Sequence, residues 1–167
     1  MTKVVVVDAE KCYACLGCTV ECAYHHAGAD PDVSVISSVL ASAACYVVAV
    51  GTEPAPLVCS HCEDAPCLQV CPTRAISRSA PEAPVLLDEE LCIGCRACTM
   101  ACPFGVMQMR PEGKTAMKCD LCRDRTERGE PPRCVAACPT GALELKELDD
   151  VLVAARRRAA ELVRAKG

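Results

Sequence analysis

The chain has 167 residues and a formal net charge of −4 at neutral pH, and it contains seventeen cysteines, one phenylalanine and no tryptophan. This length suits one domain or two small ones. An acidic chain without a basic stripe or stacking aromatic side chains is a poor candidate for binding nucleic acid, and no stretch reaches the about eighteen consecutive apolar residues of a membrane span. Since large apolar side chains are scarce, the core needs reinforcement from elsewhere.

The first predicted strand lies near the amino terminus, at residues 4–8. Its run of four valines ends at Asp8 and is too short for the apolar part of a secretory signal. We therefore expect a cytoplasmic protein, with export to the periplasm alongside a signal-bearing partner as the alternative. In a chain without a signal, closely spaced C-x-x-C pairs favour metal binding over a secreted disulfide scaffold.

Short β-type segments alternate with cysteine-rich loops along the rest of the chain. Residues 33–36 and 46–50 have strand-like composition and precede Gly51, Pro54 and Pro56, so we predict a β-hairpin insertion over residues 31–56. Four further short strands are predicted, at residues 85–88, 106–110, 115–118 and 142–145. Residues 110–114, between two of these strands, favour a hairpin turn.

Residues 147–167 predict an amphipathic helix. Apolar side chains recur at helical spacing from Leu148 to Val163, and the arginines of this segment lie mostly off the apolar stripe. The stripe either packs against the protein's own domain or docks a partner subunit.

Sixteen of the cysteines fall into four groups of similar spacing. The groups are Cys12, Cys15, Cys18, Cys22; Cys59, Cys62, Cys67, Cys71; Cys92, Cys95, Cys98, Cys102; and Cys119, Cys122, Cys134, Cys138. The first and third groups have the C-x-x-C-x-x-C-x-x-x-C spacing of bacterial ferredoxins, and a proline follows the last cysteine of the second, third and fourth groups. The pattern predicts that all sixteen cysteines ligate iron, in four 4Fe–4S clusters.

The spacing also indicates how the groups share their ligands. Three close cysteines can wrap one cluster in a tight loop, while the last cysteine of the group points away and ligates the other cluster of a pair. If the first group pairs with the fourth and the second with the third, the ligand sets are Cys12, Cys15, Cys18 with Cys138; Cys119, Cys122, Cys134 with Cys22; Cys59, Cys62, Cys67 with Cys102; and Cys92, Cys95, Cys98 with Cys71. Spacing alone also allows the first group to pair with the second and the third with the fourth.

Zinc is the main competing metal for cysteines in such a pattern. A C-x-x-C pair also occurs in zinc sites, but zinc needs two such pairs rather than three cysteines in one loop and a fourth before a proline. The seventeenth cysteine, Cys45, lies outside the four groups, and we interpret it as a small buried hydrophobic residue. Arg96 and Lys118 adjoin predicted ligands, where a positive charge would stabilise a reduced cluster.

The second and fourth groups carry distinctive gaps, with four residues between Cys62 and Cys67 and eleven between Cys122 and Cys134. With these gaps the chain resembles the four-cluster electron-transfer subunits of dimethyl sulfoxide reductase, formate dehydrogenase, formate hydrogenlyase and carbon monoxide dehydrogenase systems. Residues 12–36 are also similar to the small polyferredoxin subunits of tungsten aldehyde oxidoreductases and benzoyl-CoA reductases. The resemblance implies pairing of the first group with the fourth and the second with the third, and a large catalytic partner.

A repeated motif, C-P-T-x-A followed by Ile or Leu, occurs at residues 71–76 and 138–143 and indicates a duplicated unit. We predict an α+β fold built from two ferredoxin-like units, each of which binds two 4Fe–4S clusters. The outer unit comprises residues 1–30 with 112–146, and the inner unit comprises residues 57–111. The β-hairpin insertion over residues 31–56 and the C-terminal helix over residues 147–167 lie outside them.

The sequence has no feature of a substrate site, such as a nucleophile–base set, a glycine-rich phosphate loop or a flavin or pterin fingerprint. We therefore expect a non-catalytic subunit that relays electrons to or from the catalytic subunit of a larger oxidoreductase. That partner would hold a molybdenum or tungsten pterin, as in aldehyde oxidoreductase or formate dehydrogenase, or be of the carbon monoxide dehydrogenase or hydrogenase type, and a further redox subunit could join them. The alternatives are a free soluble polyferredoxin that shuttles electrons between enzymes, and a scaffold whose clusters only hold the fold.

Overall fold

The computed structural model describes residues 2–27 and 39–165 of the chain. Short strands and helices alternate along it, which fits the predicted α+β class. The strands are β1 (Lys3–Val7), β2 (Tyr46–Val50), β3 (Glu53–Leu57), β4 (Ile76–Ser77), β5 (Leu86–Leu87), β6 (Gln108–Met109), β7 (Ala116–Met117) and β8 (Leu143–Glu147). The helices are α1 (Gly17–Ala27), α2 (Pro66–Gln69), α3 (Ala97–Ala101), α4 (Arg123–Thr126), α5 (Arg133–Ala136) and α6 (Leu148–Ala165), and a 3-10 helix covers Ala9–Lys11.

Strands β1 and β8 join the two ends of the described chain in an antiparallel pair. The register runs from Lys3 opposite Glu147 to Val7 opposite Leu143. The valines of β1 favour an extended backbone because their branched side chains pack well on a pleated surface. Val5 and Leu143 point inward and are buried, so this pair brings the first cysteine group next to the last.

The middle of the chain contains two much shorter strand pairs. Strand β4 pairs with β5, and β6 pairs with β7, each through two residues. The predicted turn at residues 110–114 is present, since the Arg110 amide donates to the Thr115 carbonyl at 2.8 Å beyond the end of the β6–β7 pair. The predicted strands in this region exist but are shorter than the sequence pattern indicated.

The β-hairpin differs from the predicted one in its strands. Tyr46–Val50 pairs with Glu53–Leu57, so Pro54 and Pro56 lie within the second strand rather than after the hairpin. The hairpin therefore ends at Leu57, one residue beyond the predicted insertion. Prolines are tolerated there because β3 pairs with β2 alone and need not donate a hydrogen bond on its other edge. Residues 33–36, which the sequence pattern assigned to this hairpin, lie outside the described residues.

Two main clusters of buried side chains form the core, and cysteines belong to both. The first contains Val5, Leu143 and Met117 together with Cys18, Cys22, Cys45 and Cys134. The second contains Ala65, Ile76, Val85, Cys98, Met107 and Ala116. Ala116 therefore packs with residues 57–111, although the sequence pattern assigned it to the outer unit. Cys45 is buried, in keeping with its interpretation as a small core residue.

Helix α6 leaves the body of the protein after its first turn. The Leu148 amide donates to the Thr2 carbonyl at 2.8 Å, and beyond this point most of the helix is exposed. Its apolar side chains share that exposure, with Val153 at 55% and Val163 at 74%. Packing of the whole stripe against the protein's own domain is therefore not seen. Among the helices in the described parts of the chain, none combines the length and apolar character that a membrane crossing requires.

Candidate metal centres

Three cavities in the structure each have four cysteines in their walls. The first has Cys59, Cys62, Cys67 and Cys102, the second Cys12, Cys15, Cys18 and Cys138, and the third Cys71, Cys92, Cys95 and Cys98. We call them the inner cavity, the amino-terminal cavity and the central-loop cavity, respectively. The same set of four cysteine donors in all three cavities suits one kind of bound group.

The remaining four cysteines of the groups also lie close together, and we call them the buried set. Burial, together with the neighbouring Cys134 and Cys122, raises the pKa of the Cys22 thiol to about 12. Burial likewise raises the pKa of Cys119 well above its ordinary value, with Cys22 among the charges that contribute. Thiols of this kind lose their protons when a cation binds them.

Each cavity combines three cysteines from one group with the last cysteine of another. Cys138 joins the first group, Cys102 joins the second, and Cys71 joins the third. The packing of helices follows the same arrangement, since α1 lies against α5 and α2 lies against α3. In these three cavities, cysteines of the first and second groups do not meet, so the arrangement differs from the alternative that spacing alone allowed.

The cysteine loops share an unusual backbone conformation that the sequence pattern did not predict. In each group, the residue before the second cysteine has a positive φ, at 62° for Ala14, 45° for His61, 68° for Gly94 and 62° for Leu121. Alternation of left- and right-handed backbone turns successive amide groups toward a common point, and such nests bind phosphates and iron–sulfur clusters. Gly94 is the one glycine among the four positions, and it is the only one of the four whose residue type could have signalled this conformation.

The repeated C-P-T-x-A motif gives two equivalent thiol environments. The Thr73 hydroxyl lies 3.8 Å from the Cys71 sulfur, and the Thr140 hydroxyl lies 3.7 Å from that of Cys138. Burial would raise the pKa of both thiols, but backbone amides and these hydroxyls outweigh it and lower the pKa. Both positions therefore favour a thiolate, the form that binds iron.

Backbone amides also donate to other cysteine sulfurs. The Ala44 amide lies 3.3 Å from the Cys22 sulfur, and the Ala116 amide lies 3.4 Å from that of Cys92. Donors of this kind offset part of the cost of burying a thiolate. They come from segments outside the cysteine loops, and so only the folded chain supplies them.

The four cysteine sets lie in a row, as the interactions between neighbouring thiols indicate. Cys18 of the amino-terminal cavity acts on the pKa of Cys134 of the buried set. Cys59 of the inner cavity raises the pKa of Cys119. Cys67 of the same cavity in turn raises the pKa of Cys98 of the central-loop cavity. The order is therefore amino-terminal cavity, buried set, inner cavity and central-loop cavity.

Cys45 lies between the first two members of this row. Its thiol forms hydrogen bonds with Cys134 and Cys18, and these bonds raise its own pKa. The bond from Cys45 lowers the pKa of Cys18 to about 6 and also lowers that of Cys134. Cys45 therefore remains protonated, and its single proton can be donated to either of these two predicted ligands, one at a time.

Two histidines attach α1 to the loop of the fourth cysteine group. His25 Nε2 lies 3.2 Å from the Asp120 carboxylate, and His26 Nε2 lies 3.8 Å from its other oxygen. The hydrogen bond to Asp120 raises the pKa of His25 to about 10. Burial would raise the pKa of Asp120, but the bond to His25 and the charges of both imidazoles lower it to about 2. This ion pair fixes the loop that presents Cys119 and Cys122.

Sets of four cysteines, enclosed by amide-rich loops in a small α+β fold, define a polynuclear iron–sulfur protein. The chain belongs to the 4Fe–4S dicluster domain family, which matches residues 50–148. Its cofactors are therefore 4Fe–4S clusters, as predicted. The predicted membership in the ferredoxin-type electron-transfer proteins is confirmed.

Relatives along nearly the whole chain support the same classification. The putative electron transport protein YsaA of Escherichia coli (strain K12) is 39% identical over 90% of this chain and 94% of that protein. The electron transport protein HydN of the same strain is 35% identical over 96% of this chain and 98% of that protein. Among solved structures, the active site complex BamBC of benzoyl coenzyme A reductase as isolated matches with a TM-score of 0.47 and 23% identity over 87% of this chain and 76% of that chain. That structural likeness is too weak to carry a conclusion.

Proposed function

We propose that this protein is a non-catalytic electron-transfer subunit that carries four 4Fe–4S clusters. The observation that supports it most directly is the convergence of sixteen cysteines into four sets, three of which line cavities. The proposed ligand sets are Cys12, Cys15, Cys18, Cys138; Cys22, Cys119, Cys122, Cys134; Cys59, Cys62, Cys67, Cys102; and Cys71, Cys92, Cys95, Cys98.

The residues of the chain have separable roles in this function. A 4Fe–4S cluster with four cysteine ligands accepts and releases single electrons and leaves no iron position for a substrate. The thiolates hold the metal, and the loop amides and the hydroxyls of Thr73 and Thr140 stabilise negative charge on sulfur. Burial of Cys22 and Cys134 keeps water away from the buried set.

The row of four sites provides a path with two open ends. Cys15 is exposed in the amino-terminal cavity and Cys95 is exposed in the central-loop cavity, whereas neither middle set contains an exposed cysteine. Exposed apolar side chains adjoin both ends, with Tyr13 at 59% beside the first and Ile93 at 65% beside the second. Such a surface suits the docking of a protein partner at each end.

We infer that one end meets a large catalytic oxidoreductase subunit and the other a further redox protein. A relative that matches nearly the full length of this chain is named as an electron transport protein, which supports a carrier role. The motifs favour a partner with a molybdenum or tungsten pterin, or one of the carbon monoxide dehydrogenase or hydrogenase type.

The test is anaerobic purification of the tagged chain at its native abundance, followed by iron analysis and sizing of the complex. We expect about sixteen iron atoms per chain, from four clusters of four, and a stable association with a larger subunit. Iron for fewer clusters would contradict the cluster number. A single, monodisperse chain with full iron content would contradict the subunit role and favour a diffusible polyferredoxin.

A further inference from the structure

Lys118 is a buried cation in the wall of the inner cavity. Its side chain, in a residue only 4% exposed, lines this cavity together with Cys59, Cys62 and Cys67. The ammonium group donates hydrogen bonds to the Val85 carbonyl and, at 2.7 Å, to the Cys119 carbonyl. Within the described residues, no carboxylate forms an ion pair with it. An unpaired buried cation is costly unless an anion lies nearby.

His61 is a second donor in the same wall. The residue is 6% exposed, and its Nδ1 accepts a hydrogen bond from the Val85 amide at 3.1 Å. Because Nδ1 accepts, the ring is neutral and carries its proton on Nε2. In the part of the chain that the structure describes, this buried Nε2 has no hydrogen-bond partner. The cavity is therefore lined by two groups that can donate to an anion.

Both donors are held by one residue of the chain between the second and third cysteine groups. The Val85 carbonyl accepts from Lys118, and its amide donates to His61. Val85 is itself almost fully buried and lines the inner cavity. The positions of the two side chains are therefore fixed by the backbone rather than left to solvent.

The other two cavities lack an equivalent buried charge. The described residues that line the amino-terminal cavity are apolar or uncharged apart from its cysteines. The central-loop cavity is lined by Arg96, but this residue is exposed and its charge is screened by water. The inner cavity thus differs from both in its electrostatic surroundings.

We propose that Lys118 and the Nε2–H of His61 raise the reduction potential of the cluster held by Cys59, Cys62, Cys67 and Cys102 above those of the clusters in the amino-terminal and central-loop cavities. This inference rests on the proposed function, since it requires a cluster in the inner cavity. The physical reason is that one-electron reduction adds negative charge, which a buried cation and a hydrogen-bond donor to sulfur stabilise.

The first test compares Lys118→Met with Lys146→Met, which removes an exposed charge from β8. In potentiometric titrations followed by EPR, we expect the cluster that shows coupling to His61 in the second test to become about tenfold harder to reduce in Lys118→Met, a shift of about 59 mV for a one-electron couple. Lys146→Met should leave the potential of this cluster unchanged, and Lys118→Arg should retain most of the wild-type potential. An unchanged potential of this cluster in Lys118→Met overturns the inference.

The second test needs no variant for its main observation and so does not depend on how well Lys118→Met folds. Pulsed EPR of the reduced wild-type protein with isotopically labelled histidine should detect coupling between a cluster and a histidine nitrogen that persists in His25→Gln and disappears in His61→Gln. Absence of the coupling in the wild type overturns the role of His61.

The two levels of proposal fail in different ways. Iron for fewer than four clusters in the wild-type protein contradicts the proposed function. This inference alone is contradicted if the iron content is full, the reduction potentials do not change in Lys118→Met, and no coupling to a histidine nitrogen is detected.

Discussion

The inner region of the molecule, residues 57–117, and the outer region, residues 2–27 with 118–147, contain the same kinds of cysteine loop but are closed differently. The inner region is continuous in sequence and needs strand pairs of two residues each. The outer region joins the two ends of the chain and uses the five-residue β1–β8 pair. Closing a longer loop costs more conformational entropy, and more strand contacts offset this cost in the outer region.

The comparison shows that the cysteine loops can be alike while the strand pairs that bring them together differ. Equivalent residues, such as Ile76 and Leu143 in the repeated motif, line the central-loop and amino-terminal cavities in the same way. The surroundings of these two residues differ, because only Leu143 lies opposite a strand from the far end of the chain, β1. Paired substitutions in the two regions can therefore separate local from long-range effects.

The largest effect is expected when the shared cysteines are replaced. Cys138→Ser should disrupt the cluster bound by Cys12, Cys15 and Cys18, although more than a hundred residues separate them in the sequence. Its inner counterpart, Cys102→Ser, should disrupt the cluster bound by Cys59, Cys62 and Cys67. Iron analysis and EPR of each variant should show loss of one cluster or its conversion to a three-iron form. Cys138→Ser protein that retained the amino-terminal cluster would refute the ligand exchange.

The next largest effect is expected from the two buried residues that end the repeated motifs. Leu143→Ala and Ile76→Ala each remove a fully buried side chain and should cost about 2–5 kcal/mol. We expect Leu143→Ala to accelerate iron release from the outer sites and Ile76→Ala to accelerate it from the inner sites. Chelator-driven iron loss, followed by the order in which the EPR signals fade, measures this difference. Equal loss from both regions in either variant would indicate that they unfold together.

A smaller and more local effect is expected at Gly94 in the third cysteine loop. Its φ is +68°, and an added Cβ would collide with the Lys114 carbonyl oxygen. Gly94→Ala should therefore cost about 1–2 kcal/mol for the left-handed backbone and about 1–3 kcal/mol more for the collision.

Gly113→Ala is the matched control for Gly94→Ala. Its φ is +71°, but nothing lies within 4 Å of the added Cβ. Gly113→Ala should therefore lose only the stability that the left-handed backbone costs a residue with a Cβ. Denaturation of the iron-loaded variants compares the two. If both lose the same stability, the contact between the cysteine loop and the β6–β7 turn is not tight.

The smallest effect is expected from removal of α6. A chain truncated after Glu147 should keep its full iron content and lose less than about 1 kcal/mol, because most of the residues of the helix are exposed. Iron analysis and thermal unfolding test this expectation. A clear loss of the outer clusters would show that α6 supports the β1–β8 pair.

The sequence predicted the chemistry of the sites better than their surroundings. Cysteine spacing indicated the cofactor, and the trailing cysteines such as Cys71 and Cys138 indicated exchange, because both follow from local geometry. The partner of β2 was not predictable, since prolines in β3 are acceptable only at an edge that nothing else pairs with. The contacts of Val85 with His61 and Lys118 join three distant segments, and no local pattern carries that information. Of the four residues that precede the second cysteine of each group and have a left-handed backbone, only Gly94 is a glycine, the residue type that signals this conformation.

The pairing of β1 with β8 also bears on how the protein is made. At a synthesis rate of about 5–20 residues per second, Cys18 leaves the ribosome roughly 6–25 seconds before Cys138. During that interval the amino-terminal thiols have no complete site, whereas the inner region can already gather all of its cysteines. Nascent chains should therefore load iron from the middle outward, and the first loop is the one most exposed to oxidation while it waits.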